Sequence, residues 1–239
     1  MLFIPKNASI SMSFNEFIKE LNSNSRVEGE LIKTILYSLI TSFLTLLILY
    51  YLKLKTISSF MPKYGLFLLL AAISYSLISA SLRQVRAYKQ FPCMTGMMLG
   101  MTSGTISGFI TGFLVGATNG MFIGGLFGSI VGIIFGTYIG SCCGIMGKME
   151  GIMAGFMGGW MGSMTAVMLI NDNLRTATII IFLISSLILI SLNYLIYKEA
   201  KETERQLKED HWITIIVTFI LITITSWIIS YGPRSALFS

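Results

Sequence analysis

The sulfur-bearing residues are the side chains of this sequence whose types and spacing could do chemistry. Of the 15 methionines in the 239-residue chain, twelve lie between Met94 and Met168, and the three cysteines fall within or next to the same stretch. Thiolates and thioethers are soft ligands that select Cu(I) over harder metal ions. Folding that brings these sulfur atoms together would therefore create a Cu(I) site.

Two short clusters are the predicted ligands of that site. Cys93 and Met97 begin the stretch, and Cys142, Cys143 and Met146 follow later in the chain. Two membrane crossings between the clusters would return the chain to the side on which it started, so we expect the clusters to meet. The alternative is that the cysteines are small buried hydrophobes and the methionines are flexible fillers beside glycine-rich backbones.

A second sulfur pattern follows, in which methionine recurs at helical spacing. On a helix with about 100° per residue, six methionines fall within about 120° of arc, and the glycines of the same segment fall on the opposite side. These residues, here called the methionine face, are Met149, Met153, Met157, Met161, Met164 and Met168. We expect this helix to pack through its glycines and to turn the methionine face towards lipid, a pore or a partner.

Glycine recurs every four residues through most of this region, so the packing of glycine-rich helices must position the sulfur atoms. Glycine in a helix interior costs about 1 kcal/mol relative to alanine in water, whereas in a bilayer small residues four apart let helix backbones approach closely. The pattern resembles a glycine zipper, which unrelated membrane proteins share, channels and pore-formers among them, and which implies no activity by itself. The predicted packing glycines are Gly96, Gly100, Gly104, Gly108, Gly112, Gly116, Gly120, Gly124, Gly128, Gly132, Gly136, Gly140, Gly144, Gly151, Gly155 and Gly159.

Composition places the chain in a membrane, since 54% of its residues are hydrophobic and 12% are charged,. Between Lys89 and Lys148 lie 58 residues without a charge, enough for two crossings, and Asn119 with the following glycine is the predicted turn between them,. Lys148 and Glu150 mark the next predicted turn. We therefore expect an all-α integral membrane protein with about seven transmembrane helices and a central three-helix glycine-zipper core.

The expected organisation has four parts. Residues 1–30 form a cytoplasmic or interfacial amphipathic segment, 31–90 a two-span hairpin, 91–173 the three-span core rich in glycine and methionine, and 174–239 a second two-span hairpin with a charged helical extension over 198–210. With the N-terminus inside, twelve lysines and arginines lie inside and five outside,. This count predicts a protein of the cytoplasmic membrane with its N-terminus inside and its C-terminus outside.

Several function classes find no support in the sequence. It contains no HExxH motif, phosphate loop or protease motif, and the predicted spans contain no charged residue, so we expect no enzyme. Three cysteines and one histidine predict neither a disulfide framework nor a Cys/His zinc site,. Because the basic residues lie between apolar spans, we expect no nucleic-acid partner. The expected partners are the lipid bilayer and either a second copy or other membrane helices.

Two functions remain. The first is permeation or transport of a small solute or ion, including a soft metal such as Cu(I), along glycine carbonyls and the hydroxyls of Thr102, Ser103, Thr105, Ser107 and Thr111. The second is a non-transport membrane scaffold, assembly or immunity factor that uses the glycine zipper to associate with helices. Transport predicts a continuous polar or sulfur-lined path. A scaffold predicts glycine faces occupied by helices and methionines that face lipid.

Overall fold

The computed structural model describes residues 27–52, 60–88, 92–200 and 211–232. Within these ranges the chain is helical and forms no strand, which confirms the all-α prediction. The helices are α1 (Val27–Leu52), α2 (Phe60–Ala87), α3 (Cys93–Asn119), α4 (Met121–Gly140), α5 (Gly144–Met168), α6 (Leu174–Ala200) and α7 (His211–Tyr231), with a 3-10 turn at Ser141–Cys143. The amphipathic segment predicted for 1–30 and the extension predicted for 198–210 lie largely outside the described residues.

Six helical segments of the described chain are long and apolar enough to cross a membrane. The longest, Met121–Met168, has 48 residues and contains α4, the 3-10 turn and α5. These lengths and compositions are those of a multi-spanning membrane protein, as the sequence predicts.

Helices α3 and α5 lie side by side and run in the same direction. A Cβ atom placed on Gly104 would lie 3.0 Å from the carbonyl oxygen of Gly151, and one placed on Gly108 would lie 2.8 Å from the carbonyl oxygen of Gly155. Each step of four residues along α3 therefore corresponds to a step of four along α5. This register accounts for the glycine period along α3, because backbone meets backbone at most of these positions,. Gly144 is an exception among the predicted packing glycines, because it is exposed and no atom lies within 4 Å of an added Cβ atom.

Helix α4 packs against both α3 and α5 and runs in the opposite direction to them. A Cβ atom on Gly136 would lie 2.9 Å from the Cα atom of Gly151, and one on Gly132 would lie 2.8 Å from the Cα atom of Gly155. The order of these contacts is reversed along the two chains, so α4 and α5 form an antiparallel hairpin. Each of the three glycine-rich helices packs against the other two, with backbone against backbone at most glycine positions; this three-helix bundle is called the glycine layer below.

The two reversals of this layer occur at glycines with positive φ. Gly120, with φ 102°, separates α3 from α4, and Gly144, with φ 72°, follows the 3-10 turn and begins α5. The prediction that the second turn lies at Lys148 and Glu150 is wrong, because both residues lie inside α5. Lys148 comes four residues after the first residue of α5, so these charges do not mark the change of direction.

The remaining four helices cover the other side of α3. Helices α2, α6 and α7 contact α3, and α1 packs against α2 and α7. Large apolar side chains fill this half of the protein, including the buried Tyr75, Phe113, Ile196 and Ile222. The outer surfaces of α4 and α5, in contrast, are not covered by another helix in the described part of the chain.

Candidate functional site

The three cysteines meet at one end of the glycine layer. Cys93, the first residue of α3, forms a disulfide with Cys143 in the turn before α5, and their Cα atoms are 5.1 Å apart. Cys142 is a free, half-buried thiol, and a Cβ atom on Gly96 would lie 3.1 Å from its Sγ atom. The sequence predicts no disulfide framework, and the described residues contain this single disulfide. The pair becomes adjacent because α3 and α4 fold back on each other, as the two expected crossings require, whereas the bond itself was not predicted.

The two predicted methionine ligands flank the cysteines on their own helices. Met97 lies one turn after Cys93 and is half-buried, and Met146 lies in the first turn of α5 and is 63% exposed. Among the described residues, no group of three or more His, Cys, Asp and Glu side chains is arranged to hold a metal ion. The disulfide occupies two of the predicted sulfur ligands, so the five-residue metal site stays a prediction.

The methionine face lies on the outer surface of α5. All six of its side chains are between 43% and 67% exposed. The glycines on the opposite side of the helix, among them Gly151, Gly155 and Gly159, are buried against α3 and α4. This helix therefore separates a packing side from a sulfur-bearing side.

Three methionines of α3 border the same surface. A Cβ atom on Gly158 of α5 would lie 3.0 Å from the Cα atom of Thr105, so this side of α3 faces α5. Met101 and Met98 precede Thr105 by four and seven residues, which places them on that side of α3. Met94, Met98 and Met101 are 78%, 53% and 52% exposed. Thioethers thus lie on both sides of the contact between α3 and α5, beginning at the cysteine end.

The outward-facing helices α1, α6 and α7 use different apolar residues. Every large exposed apolar side chain of α1, α6 and α7 is Ile, Leu, Phe, Tyr or Trp, and the sequences of these three helices contain no methionine. Contact with lipid requires only an apolar surface, which these helices provide without thioethers. Exposure to lipid therefore does not explain the choice of methionine on α3 and α5.

The hydroxyl groups of α3 bond within their own helix. Ser103, Ser107 and Thr111 are buried and donate to backbone carbonyl oxygens one turn earlier at 2.6, 2.6 and 2.7 Å. Thr102 and Thr105 donate in the same way at 2.7 Å each. Neighbouring backbones fill the glycine positions between these side chains. A route through the middle of the glycine layer would have to break these contacts.

A buried arginine lies between α1 and α2. Arg83 is 3% exposed, and its Nη1 atom donates to Oγ1 of Thr34 at 2.6 Å. One turn away, Ser79 donates to Ser38 at 3.2 Å. The sequence predicts no charge in a span, whereas the apolar segment Tyr64–Ala87 contains Arg83 and Arg86. Thr and Ser recur at helical spacing in α1, and this pattern in the sequence could have indicated the polar contact with α2.

Two larger concavities lie away from the sulfur atoms. A cleft of about 520 Å³ opens at the end opposite the cysteines and is lined by residues that include Tyr64, Thr118, Asp172 and Arg175. An apolar groove of about 950 Å³ lies between α1 and α2. Neither lining contains a cysteine or a methionine, so neither is part of the predicted metal site.

The structure thus brings together three cysteines at one end of the glycine layer and methionines that continue along α3 and α5. The methionine-rich stretch can be recognised in the sequence, whereas the disulfide and the burial of Arg83 depend on contacts between segments that are distant in the chain. Comparison of the chain with models of protein families, with curated proteins and with solved structures gave no match in any of the three.

Proposed function

We propose that this membrane protein binds Cu(I) through its cysteine and methionine sulfur atoms and conducts the ion across the bilayer. The supporting observation is the exposed surface of α5, where methionine occupies six outward positions although α1, α6 and α7 meet their surroundings with Ile and Leu. Thioethers are suited to Cu(I). Side chains three and four residues apart on a helix have Cβ atoms about 5–6 Å apart, so an ion could pass from one methionine to the next along α5.

The proposed route lies on the outer side of the contact between α3 and α5. The glycine faces and the α3 hydroxyls are engaged within the chain, which leaves the thioethers as the exposed ligand groups of this region. The cysteine end would receive or release the ion, and the methionine face would carry it along α5. Five sulfur atoms fit the predicted binding end, namely those of Cys93, Met97, Cys142, Cys143 and Met146.

The proposed topology has seven crossings, with the N-terminus in the cytoplasm and the C-terminus outside. Helices α4 and α5 have 20 and 25 residues, and each is long enough to span the hydrocarbon core of about 30 Å at about 1.5 Å per residue,. Their antiparallel packing supports two separate crossings. The excess of Lys and Arg on alternate sides supports the orientation and puts the cysteine end in the cytoplasm.

Cu(I) competition binding on the detergent-purified, reduced protein tests this proposal. We expect the wild type to take Cu(I) from a colorimetric chelator, and the triple variant M153L/M157L/M161L to take up fewer equivalents, because leucine keeps the apolar volume and removes the thioether while the cysteine end still binds. The matched control is I180L/I184L/I188L on α6, which changes three exposed apolar residues at the same spacing, removes no thioether and should leave the uptake unchanged. A wild type that binds no Cu(I), or a leucine variant that takes up as many equivalents as the wild type, would contradict the proposal.

The second candidate is a membrane scaffold whose methionine face docks another helix. It is favoured by the occupied glycine faces and the outward position of the methionines, and flexible thioethers suit surfaces that accept varied partners,. A docking surface depends on shape and apolarity, so the same leucine variant should associate as the wild type does. Absence of Cu(I) binding in the wild type would favour this candidate over transport.

A further inference from the structure

The disulfide closes the end of the glycine layer at which all three cysteines lie. It joins the first residue of α3 to the turn that connects α4 and α5, so one covalent bond connects the ends of three helices. Cys93 is exposed and Cys143 is half-buried. A small thiol can therefore reach the bond from outside the protein.

A third sulfur atom lies beside the bonded pair. Cys142 precedes Cys143 directly, and a Cβ atom on Gly96 would lie within 3.1 Å of its Sγ atom and 2.8 Å from the Cβ atom of Cys143. The missing side chain at Gly96 thus lets both cysteines pack against the first turn of α3. Reduction of the disulfide would place three thiols at one point of the surface.

The charge distribution assigns this end to a reducing compartment. Arg86 lies in the last turn of α2 and stacks over the ring of Tyr138, near the end of α4, at 5.6 Å. Lys148 lies in the second turn of α5, directly after the cysteine turn. Positive charge accumulates on the cytoplasmic side of membrane proteins, and disulfides there are usually transient, with catalytic or redox-sensing roles.

We propose that Cys93 and Cys143 form a thiol–disulfide switch that controls Cu(I) loading at the cysteine end, an inference that rests on the function proposed above. In the disulfide form the two sulfur atoms are bonded to each other and provide no thiolate. Two equivalents of a low-molecular-weight thiol such as glutathione break the bond, leave two protein thiols and become one external disulfide. Cu(I) then binds the cysteine thiolates, and their protons pass to water.

Thiol counting combined with Cu(I) binding tests the switch on the full chain in detergent. We expect maleimide labelling and intact mass to show one free thiol after treatment with oxidised glutathione and three after reduction with dithiothreitol. With the reductant removed and Cu(I) maintained by ascorbate, the reduced form should bind Cu(I) at least about tenfold more tightly than the oxidised form. C93S cannot form this bond, so its affinity should be the same after both treatments, and C142S should retain the disulfide.

The outcomes separate the switch from the function on which it rests. Equal Cu(I) affinity of the oxidised and reduced wild type would overturn the switch and leave Cu(I) binding in place. Three free thiols after treatment with oxidised glutathione would overturn it as well. Absence of Cu(I) binding in both forms would overturn the proposed function, and the switch with it.

Discussion

Replacement of Gly159 by alanine is expected to destabilise the folded protein by about 3 kcal/mol or more. A Cβ atom at this position would lie 2.5 Å from the carbonyl carbon of Gly128 and 2.7 Å from the Cα atom of Ser129. These are backbone atoms of α4, which cannot rotate away as a side chain can, so α4 and α5 must separate. The gain in helix propensity, about 1 kcal/mol, offsets only part of this cost.

Gly104→Ala is the matched control in the same layer. The three nearest atoms to its added Cβ would lie at 3.0, 3.2 and 3.3 Å, so a shift of a few tenths of an ångström accommodates the methyl group. We expect a change within about 1 kcal/mol, since alanine's helix propensity compensates the contact. Unfolding in detergent followed by circular dichroism measures both variants. Similar losses of stability in the two variants would contradict this prediction, because the cost of an added Cβ atom would then not depend on its distance from the neighbouring backbone.

Thr34→Val is expected to reduce stability by about 1.5–3 kcal/mol, the range for hydrogen bonds to charged groups. Valine has nearly the same shape as threonine but removes the oxygen that accepts from Nη1 of Arg83 at 2.6 Å. Arg83 would remain buried with one donor fewer satisfied, and a buried charge that loses a partner costs more than a neutral group does.

The control for this variant is Thr41→Val on the same helix. The hydroxyl of Thr41 donates to the carbonyl oxygen of Ser38 in its own helix and lies 3.4 Å from that of Thr218. Neither partner is charged, so we expect a loss below about 1 kcal/mol. Both variants are measured by the same detergent unfolding assay. If Thr34→Val costs no more than Thr41→Val, the contact with Arg83 does not stabilise the fold.

The features that can be recognised in the sequence alone are those with a local period. Glycine every four residues and methionine on one arc of a helix are visible because a helix repeats its surface every few residues. The helical class and the apolar segments follow from hydropathy, and the turn at Gly120 follows from a dipeptide that tolerates positive φ. Each of these depends on residues close to one another in the chain.

The features that it misses depend on segments that are distant in the chain. The Cys93–Cys143 bond spans 50 residues, and the burial of Arg83 requires Thr34 from another helix. A count of charges treats every arginine as a membrane boundary, although a paired arginine can lie inside a bundle. The turn before α5 was misplaced for a related reason, because Lys148 and Glu150 mark polarity and not the change of direction.

The contact between α1 and α7 has a consequence for the order in which the protein is made. Helices α3, α4 and α5 follow one another directly and can pair as soon as α5 has entered the membrane, whereas Thr41 of α1 contacts Thr218, 177 residues later,. Chains are synthesised at about 5–20 residues per second, so α7 emerges on the order of ten seconds or longer after α1. During this interval Thr41 has no α7 to pack against. The side of α1 that faces α7 is therefore among the last surfaces of the bundle to be covered.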